Sequence, residues 1–118
     1  MEVEYLSNHE QATFASLLAE GSELVTLFTF FAAEMEEGSD YASCMVSFDG
    51  DDILRARIND SPYLVVFDEG EQIIILEKFD DEDVESTVDS TDNLDEDGAC
   101  TIADIICSRY TAEELYFA

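Results

Sequence analysis

The stretch SCMVSFDGDDILRARINDSPYLVVFDEGEQIIILEKF, residues 43–79, decides the fold class of this 118-residue chain. Cys44, Val46 and Phe48 alternate with Ser43, Met45 and Ser47, the period of two expected of a strand with one buried face. Asp49-Gly50 is a two-residue hairpin signal. Ile53 to Ile58 then runs back, with Leu54, Ala56 and Ile58 on one face and Arg55 and Arg57 on the other. Asn59-Asp60-Ser61-Pro62 makes the next turn. Tyr63 to Phe67 forms a third strand, Asp68-Glu69-Gly70 turns again, and Gln72 to Phe79 is a fourth. The run Ile73-Ile74-Ile75-Leu76 predicts a central strand covered on both faces. Connections this short give an antiparallel meander.

Upstream, the periodicity is helical. Ser7 or Asn8 can cap a first helix, Glu10 suits its positive end, Phe14, Leu17 and Leu18 mark its apolar side, and Gly21 ends it. Ser22 starts a second segment, Glu23 to Glu37, stopped by Gly38. Leu24, Leu27, Phe28, Phe31 and Met35 share one helical face, although the β-branched and aromatic run Val25 to Phe30 is also compatible with a buried strand. Downstream, Asp80 to Asp97 holds ten carboxylates in eighteen residues, with only Val84, Val88 and Leu94 to bury, and reads as an acidic loop over 80–98. A last helix is expected over Thr101 to Tyr110, with Thr111 capping one more turn. The predicted architecture is a single α+β domain over residues 1–118: an N-terminal helical pair, a four-stranded antiparallel β-meander, an acidic segment and a C-terminal helix.

Thirty acidic residues against four basic ones give a formal charge of -26. A small domain needs a magnitude of only roughly 2 to 8 to stay dispersed, and the excess adds self-repulsion to the folded state. The chain is nonetheless 47% hydrophobic and 11% aromatic, which separates it from acidic sequences that stay unfolded. Direct nucleic-acid binding is excluded: Arg55, Arg57, Lys78 and Arg109 cannot release enough phosphate counterions against that many carboxylates. An anionic membrane surface is excluded for the same reason. Met1-Glu2-Val3-Glu4 lacks the positive start of a signal peptide, and Leu24 to Met35 is too short to span a bilayer, so a cytoplasmic location is expected. Cys44, Cys100 and Cys107 are an odd number and read as free thiols.

Catalysis has little to use. His9, the single histidine, falls on the polar side of the first helix, and no serine or cysteine carries a nucleophile motif such as G-x-S-x-G or C-x-x-C. Neither an enzyme nor a cofactor is expected. Arg55 and Arg57 are expected to form cross-strand pairs with neighbouring carboxylates. In Asn93 to Asp104, the residues Asn93, Asp95, Asp97, Thr101 and Asp104 stand at loop positions 1, 3, 5, 9 and 12, with Gly98 at position 6. This segment resembles an EF-hand calcium loop, and with Asp104 to Tyr110 it looks like the loop-helix half of a dockerin. The resemblance implies hard oxygen ligands around calcium and a sharp turn at glycine. The sequence departs from that pattern with Asn at position 1, Cys at 8 and Asp at 12, and no second repeat is present. An acidic turn before a helix is the reading adopted, with no metal.

The carboxylates recur in clusters along the chain: Glu34, Glu36, Glu37 and Asp40; Asp49, Asp51 and Asp52; Asp68, Glu69 and Glu71; and Asp80, Asp81, Glu82, Asp83, Glu85, Asp89, Asp92, Asp95, Glu96 and Asp97. B-DNA carries one charge per 1.7 Å of axis, so 26 charges match about 13 base pairs, or about 44 Å of duplex. In composition and size the chain looks like the DNA-mimic proteins of phages and mobile elements. These occupy the DNA-binding surfaces of restriction enzymes, CRISPR effectors, repair glycosylases or nucleoid proteins. The resemblance implies a basic DNA- or RNA-binding host protein as partner, a host-cytoplasmic location, and these clustered acids as the binding residues. A twofold homodimer would extend the imitation to about two turns. The rival readings are a halophile's housekeeping protein, an acidic immunity protein, and a chaperone for basic clients.

Overall fold

In the computed structural model, residues 2–38, 43–50, 52–58, 61–78 and 85–117 are described. The meander is present as β2 (Ser43–Phe48), β3 (Ile53–Ile58), β4 (Tyr63–Asp68) and β5 (Gln72–Lys78), joined antiparallel in that order. Gly50, at φ 77°, provides the left-handed position that the β2–β3 turn requires.

The sheet is larger than the sequence suggested. Two further strands, β1 (Glu2–Tyr5) and β6 (Glu85–Thr91), extend it at both edges to the order β1-β2-β3-β4-β5-β6. β1 pairs parallel with β2, which makes the sheet mixed. The helices α1 (Asn8–Glu20) and α2 (Glu23–Gly38) supply the crossover that a parallel pair needs. β6 lies inside the stretch read as an acidic loop over 80–98. Its sequence, ESTVDST, is that of a polar edge strand that buries little beyond Val88, and a bulge at Ile75/Leu76 interrupts its pairing with β5. Residues 79–84 of that stretch lie outside the described residues.

α3 is one helix, Glu96–Phe117, starting five residues earlier than expected and running through Thr111. Asp95 caps it: its Oδ1 accepts from Gly98 N at 2.9 Å and its carbonyl from Ala99 N at 3.0 Å. Gly98 is required because a Cβ there would overlap the Asn93 backbone carbonyl. The ambiguity over residues 23–37 resolves as helix, and Leu24, Val25, Leu27, Phe28, Phe31 and Met35 are buried along it.

α2 and α3 pack on one face of the sheet. The core joins Phe28, Phe31, Ile102 and Ile106 to Val46, Leu54, Val65, Phe67, Ile73 and Ile75. Phe67 stacks edge-on with Phe28 and Phe31, at ring centroid distances of 5.8 and 5.4 Å, and Phe14 links α1 to Phe28 and Tyr5. The other face carries no helix among the described residues. Ile74 and Leu76 are half-buried there, and among the described residues helices cover β5 on one face only, where cover on both was expected. No single helix among the described residues is long and apolar enough to cross a membrane. By length and composition α1 and α2 pass that test only together, as a pair bent by 104°, and α2 is the core helix.

Candidate functional site

Strand register gathers several acidic clusters at one end of the sheet. The β2–β3 turn carries Asp49 and Asp52, and the β4–β5 turn carries Asp68, Glu69 and Glu71. These turns are adjacent: Ile53 faces Asp68, and Glu69 N donates to the Asp52 carbonyl at 2.9 Å. Thr91 faces Ile73, so Asp92 leaves β6 at the same end, followed by Asp95, Glu96 and Asp97 at the start of α3. All these side chains are exposed except that of Asp68, which is half-buried. α1 enters at this end too, and Glu10 Oε2 accepts from Phe48 N at 3.2 Å. A groove of about 670 Å³ opens beside the rim, between His9, Thr13, Ser16 and Glu20 of α1 and Glu69 of the β4–β5 turn.

From the rim the acids continue between the two long helices. Glu96, Cys100 and Asp104 follow one another at four-residue intervals on one side of α3. Glu34 of α2 is hydrogen-bonded to Asp104, and the Glu34 carboxyl is held above its ordinary value of 4.5. The largest cause is that hydrogen bond, then desolvation, then the charges of Asp104 and Glu37. The Cys100 thiol beside them is also raised, by burial first and then by the charges of Glu34 and Glu96. Glu36 and Glu37 lie exposed in the last turn of α2, which itself contains no basic residue, and carboxylates at a helix C-terminus oppose the dipole.

The structure therefore joins Asp49, Asp52, Asp68, Glu69, Glu71, Asp92, Asp95, Glu96 and Asp97 in one rim, with Glu34, Glu36 and Glu37 along the helix seam. Asp89 is exposed on the edge strand, where its Oδ1 accepts from Ser90 N at 2.8 Å. Asp40, Asp51, Asp80, Asp81, Glu82 and Asp83 lie outside the described residues; the backbone of Glu85 pairs with Lys78 at the opposite end of β6. Asp104 belongs to the seam although it was singled out only as a calcium-loop position. Its helical phase with Glu96 and Cys100 becomes readable once Asp95 is taken as the cap.

The calcium-loop candidate has a different geometry here. Residues from Glu96 onward are helical, the Asp95 carboxylate binds the helix start, and Thr101 Oγ1 donates to the Asp97 carbonyl at 2.8 Å. Asn93, Asp95, Asp97, Thr101 and Asp104 thus run along a cap and helix and do not wrap a centre, and the described residues hold no group of three or more His, Cys, Asp or Glu placed to bind a metal. Arg55 faces Ser47 and Val66, and Arg57 faces Met45 and Leu64, so the expected carboxylates are not their direct cross-strand neighbours.

The three cysteines are free thiols. Cys44 of β2 is buried in the core on the helix-covered side of the sheet, and burial pushes its thiol up to about 12. Burial, together with Asp104 and Glu34, raises Cys107, whose Sγ lies 3.5 Å from Met35 Sδ. None has the lowered pKa of a reactive nucleophile.

Searches with the whole chain match no family model, no curated protein and no solved structure.

Proposed function

We propose that the protein is a DNA-mimic inhibitor whose rim and helix-seam carboxylates occupy the phosphate-binding surface of a basic DNA- or RNA-binding protein. The reading is of a binding protein and not an enzyme, acting in the cytoplasm where such targets work. The observation that carries it is the placement of the acids. Three alternate connections, β2–β3, β4–β5 and β6–α3, deliver them to one end of the sheet, and the seam continues them beside a helix C-terminus, where they oppose the dipole. Charges arranged against the stability of their own fold are best accounted for by a partner that compensates them. The longest dimension, 44 Å, also matches the roughly 44 Å of duplex that carries 26 charges.

The test is a competition assay. A panel of restriction, repair and nucleoid proteins is titrated with the chain in the presence of labelled duplex. Binding should displace the duplex and weaken steeply as salt rises. Neutralising Asp52, Glu69 and Glu71 together should weaken it tenfold or more, while each single change costs about 0 to 1 kcal/mol. A complex that duplex does not displace, or that depends on one aromatic anchor, would exclude the mimic reading.

A further inference from the structure

α1 buries no residue completely: Glu10, Thr13, Phe14 and Leu17 are half-buried and the rest of the helix is exposed. The groove of about 670 Å³ beside the rim lies along this helix, and its size falls within the roughly 300 to 1,000 Å³ of ligand pockets. One wall is a single face of α1, where His9, Ala12, Thr13, Ser16 and Glu20 stand at i, i+3, i+4, i+7 and i+11 over about 16 Å. Ser22 and Glu69 add to the polar lining. That lining is rich in hydrogen-bond acceptors. The carboxylates of Glu20 and Glu69 accept and do not donate. The Thr13 hydroxyl donates its one hydrogen to the His9 carbonyl at 2.9 Å, so it can only accept from anything placed in the groove. Ala12 and Leu17 contribute apolar surface, and His9 contributes the flat face of a ring.

We propose that this groove receives an arginine side chain of the partner. A group matched to the lining must carry positive charge, donate several hydrogen bonds, accept none and bring an apolar stem. The guanidinium group is planar and always charged, with five N–H donors and no acceptor. Its stem can lie on Ala12 and Leu17 while its plane stacks on the His9 ring. A lysine ammonium is a compact point charge that neither stacks in this way nor forms a two-pronged bond with a carboxylate. Asp68 and Glu71, one residue before and two after Glu69, strengthen the field that draws a cation in. The rim attracts by summed charge, whereas the groove selects by shape and by the placement of acceptors. Arginine is also a common phosphate contact of DNA-binding proteins. That the arginine belongs to such a protein rests on the function proposed above; that the groove accepts arginine rests on its own lining.

NMR titration of the isotope-labelled protein with the peptide acetyl-Gly-Arg-Gly-amide at about 0.1 M NaCl tests it, with the lysine peptide as comparison. The single histidine of the chain provides ring-proton signals from the groove itself. The expected result is saturable shifts of the His9 ring and of the Thr13, Ser16 and Ser22 amides, with the lysine peptide weaker by about threefold or more. Ser16→Phe, an exposed change that fills the groove and keeps every charge, should weaken the arginine peptide about tenfold or more with the far-UV spectrum unchanged. Glu20→Gln together with Glu69→Gln should weaken it by a similar factor. Shifts spread evenly over the rim and the helix seam, or binding that Ser16→Phe leaves at wild-type strength, would reduce the effect to charge attraction and overturn the proposal. In the competition assay, a duplex-displaced complex that Ser16→Phe does not weaken would overturn the groove and leave the mimic reading standing. A groove that seats the arginine peptide when no DNA-binding protein binds the chain would uphold the groove and remove the mimic reading.

Discussion

Neutralising the rim should stabilise the protein, and by an amount that salt controls. Asp52→Asn, Glu69→Gln and Glu71→Gln together remove three exposed charges from two adjacent turns. Separations of about 7 Å among the three and, on average, about 10 Å to Asp49, Asp68 and Asp92 set the scale of the effect. In water, unit charges at these separations repel by about 0.6 and 0.4 kcal/mol per pair before screening. With a Debye length of about 10 Å at 0.1 M, the pairs removed sum to about 2 kcal/mol. Part of this persists in the unfolded chain, where neighbours in sequence stay close, so the net gain is about 1 kcal/mol. It should double to about 2 kcal/mol near 0.01 M and vanish by about 1 M. Urea unfolding followed by circular dichroism, with urea chosen because it adds no ions, measures the gain at each ionic strength. A variant no more stable than wild type at low salt, or a gain independent of salt, would mean that these carboxylates do not repel one another at one end of the sheet. The rim, and the functional reading built on it, would then fail.

Three further outcomes are expected. Phe31→Ala removes a fully buried ring between Phe28 and Phe67, which should cost about 3 to 5 kcal/mol in the same urea assay. A cost below about 1 kcal/mol would place α2 elsewhere than on the sheet. Glu34→Gln should stabilise the protein near neutral pH and do nothing below the ordinary value of 4.5. The native state holds the Glu34 proton more tightly than the unfolded chain, so wild-type stability from this group is complete below 4.5 and is lost as pH rises through the raised native value. A wild-type-minus-variant difference that grows more favourable with rising pH would contradict the Asp104 contact. Cys44, buried with its thiol pushed up to about 12, should resist a thiol reagent at pH 8 until the protein unfolds. Labelling of the folded protein at that position would show that β2 is not beneath the helices.

The elements that the sequence made legible are those whose burial imposes a pattern. β2 to β5 each bury alternate residues or an aliphatic run, and their turns carry Asp-Gly or Pro signals. α2 buries one face at helical spacing. β1 and β6 escaped because edge strands need bury little: Val3 and Tyr5 alone mark β1, and Val88 marks β6. The start of α3 escaped because Asp95-Glu96-Asp97-Gly98 has the composition of a loop. The same residues are a helix cap followed by acids that suit the dipole, and Gly98 is there for the close approach of the Asn93 carbonyl.

The sequence by itself determined the α+β class, the meander and the net charge, because each follows from local pattern or from a sum over residues. Which acids are neighbours was decided only by the tertiary structure. Asp52 and Glu69, or Glu34 and Asp104, are far apart in the chain, and they meet because strand register and the parallel packing of α2 and α3 bring them together. Which face of the sheet packs against the helices was likewise settled only by the tertiary structure. A two-period pattern marks two faces, and the packing of helices decides which of them they cover.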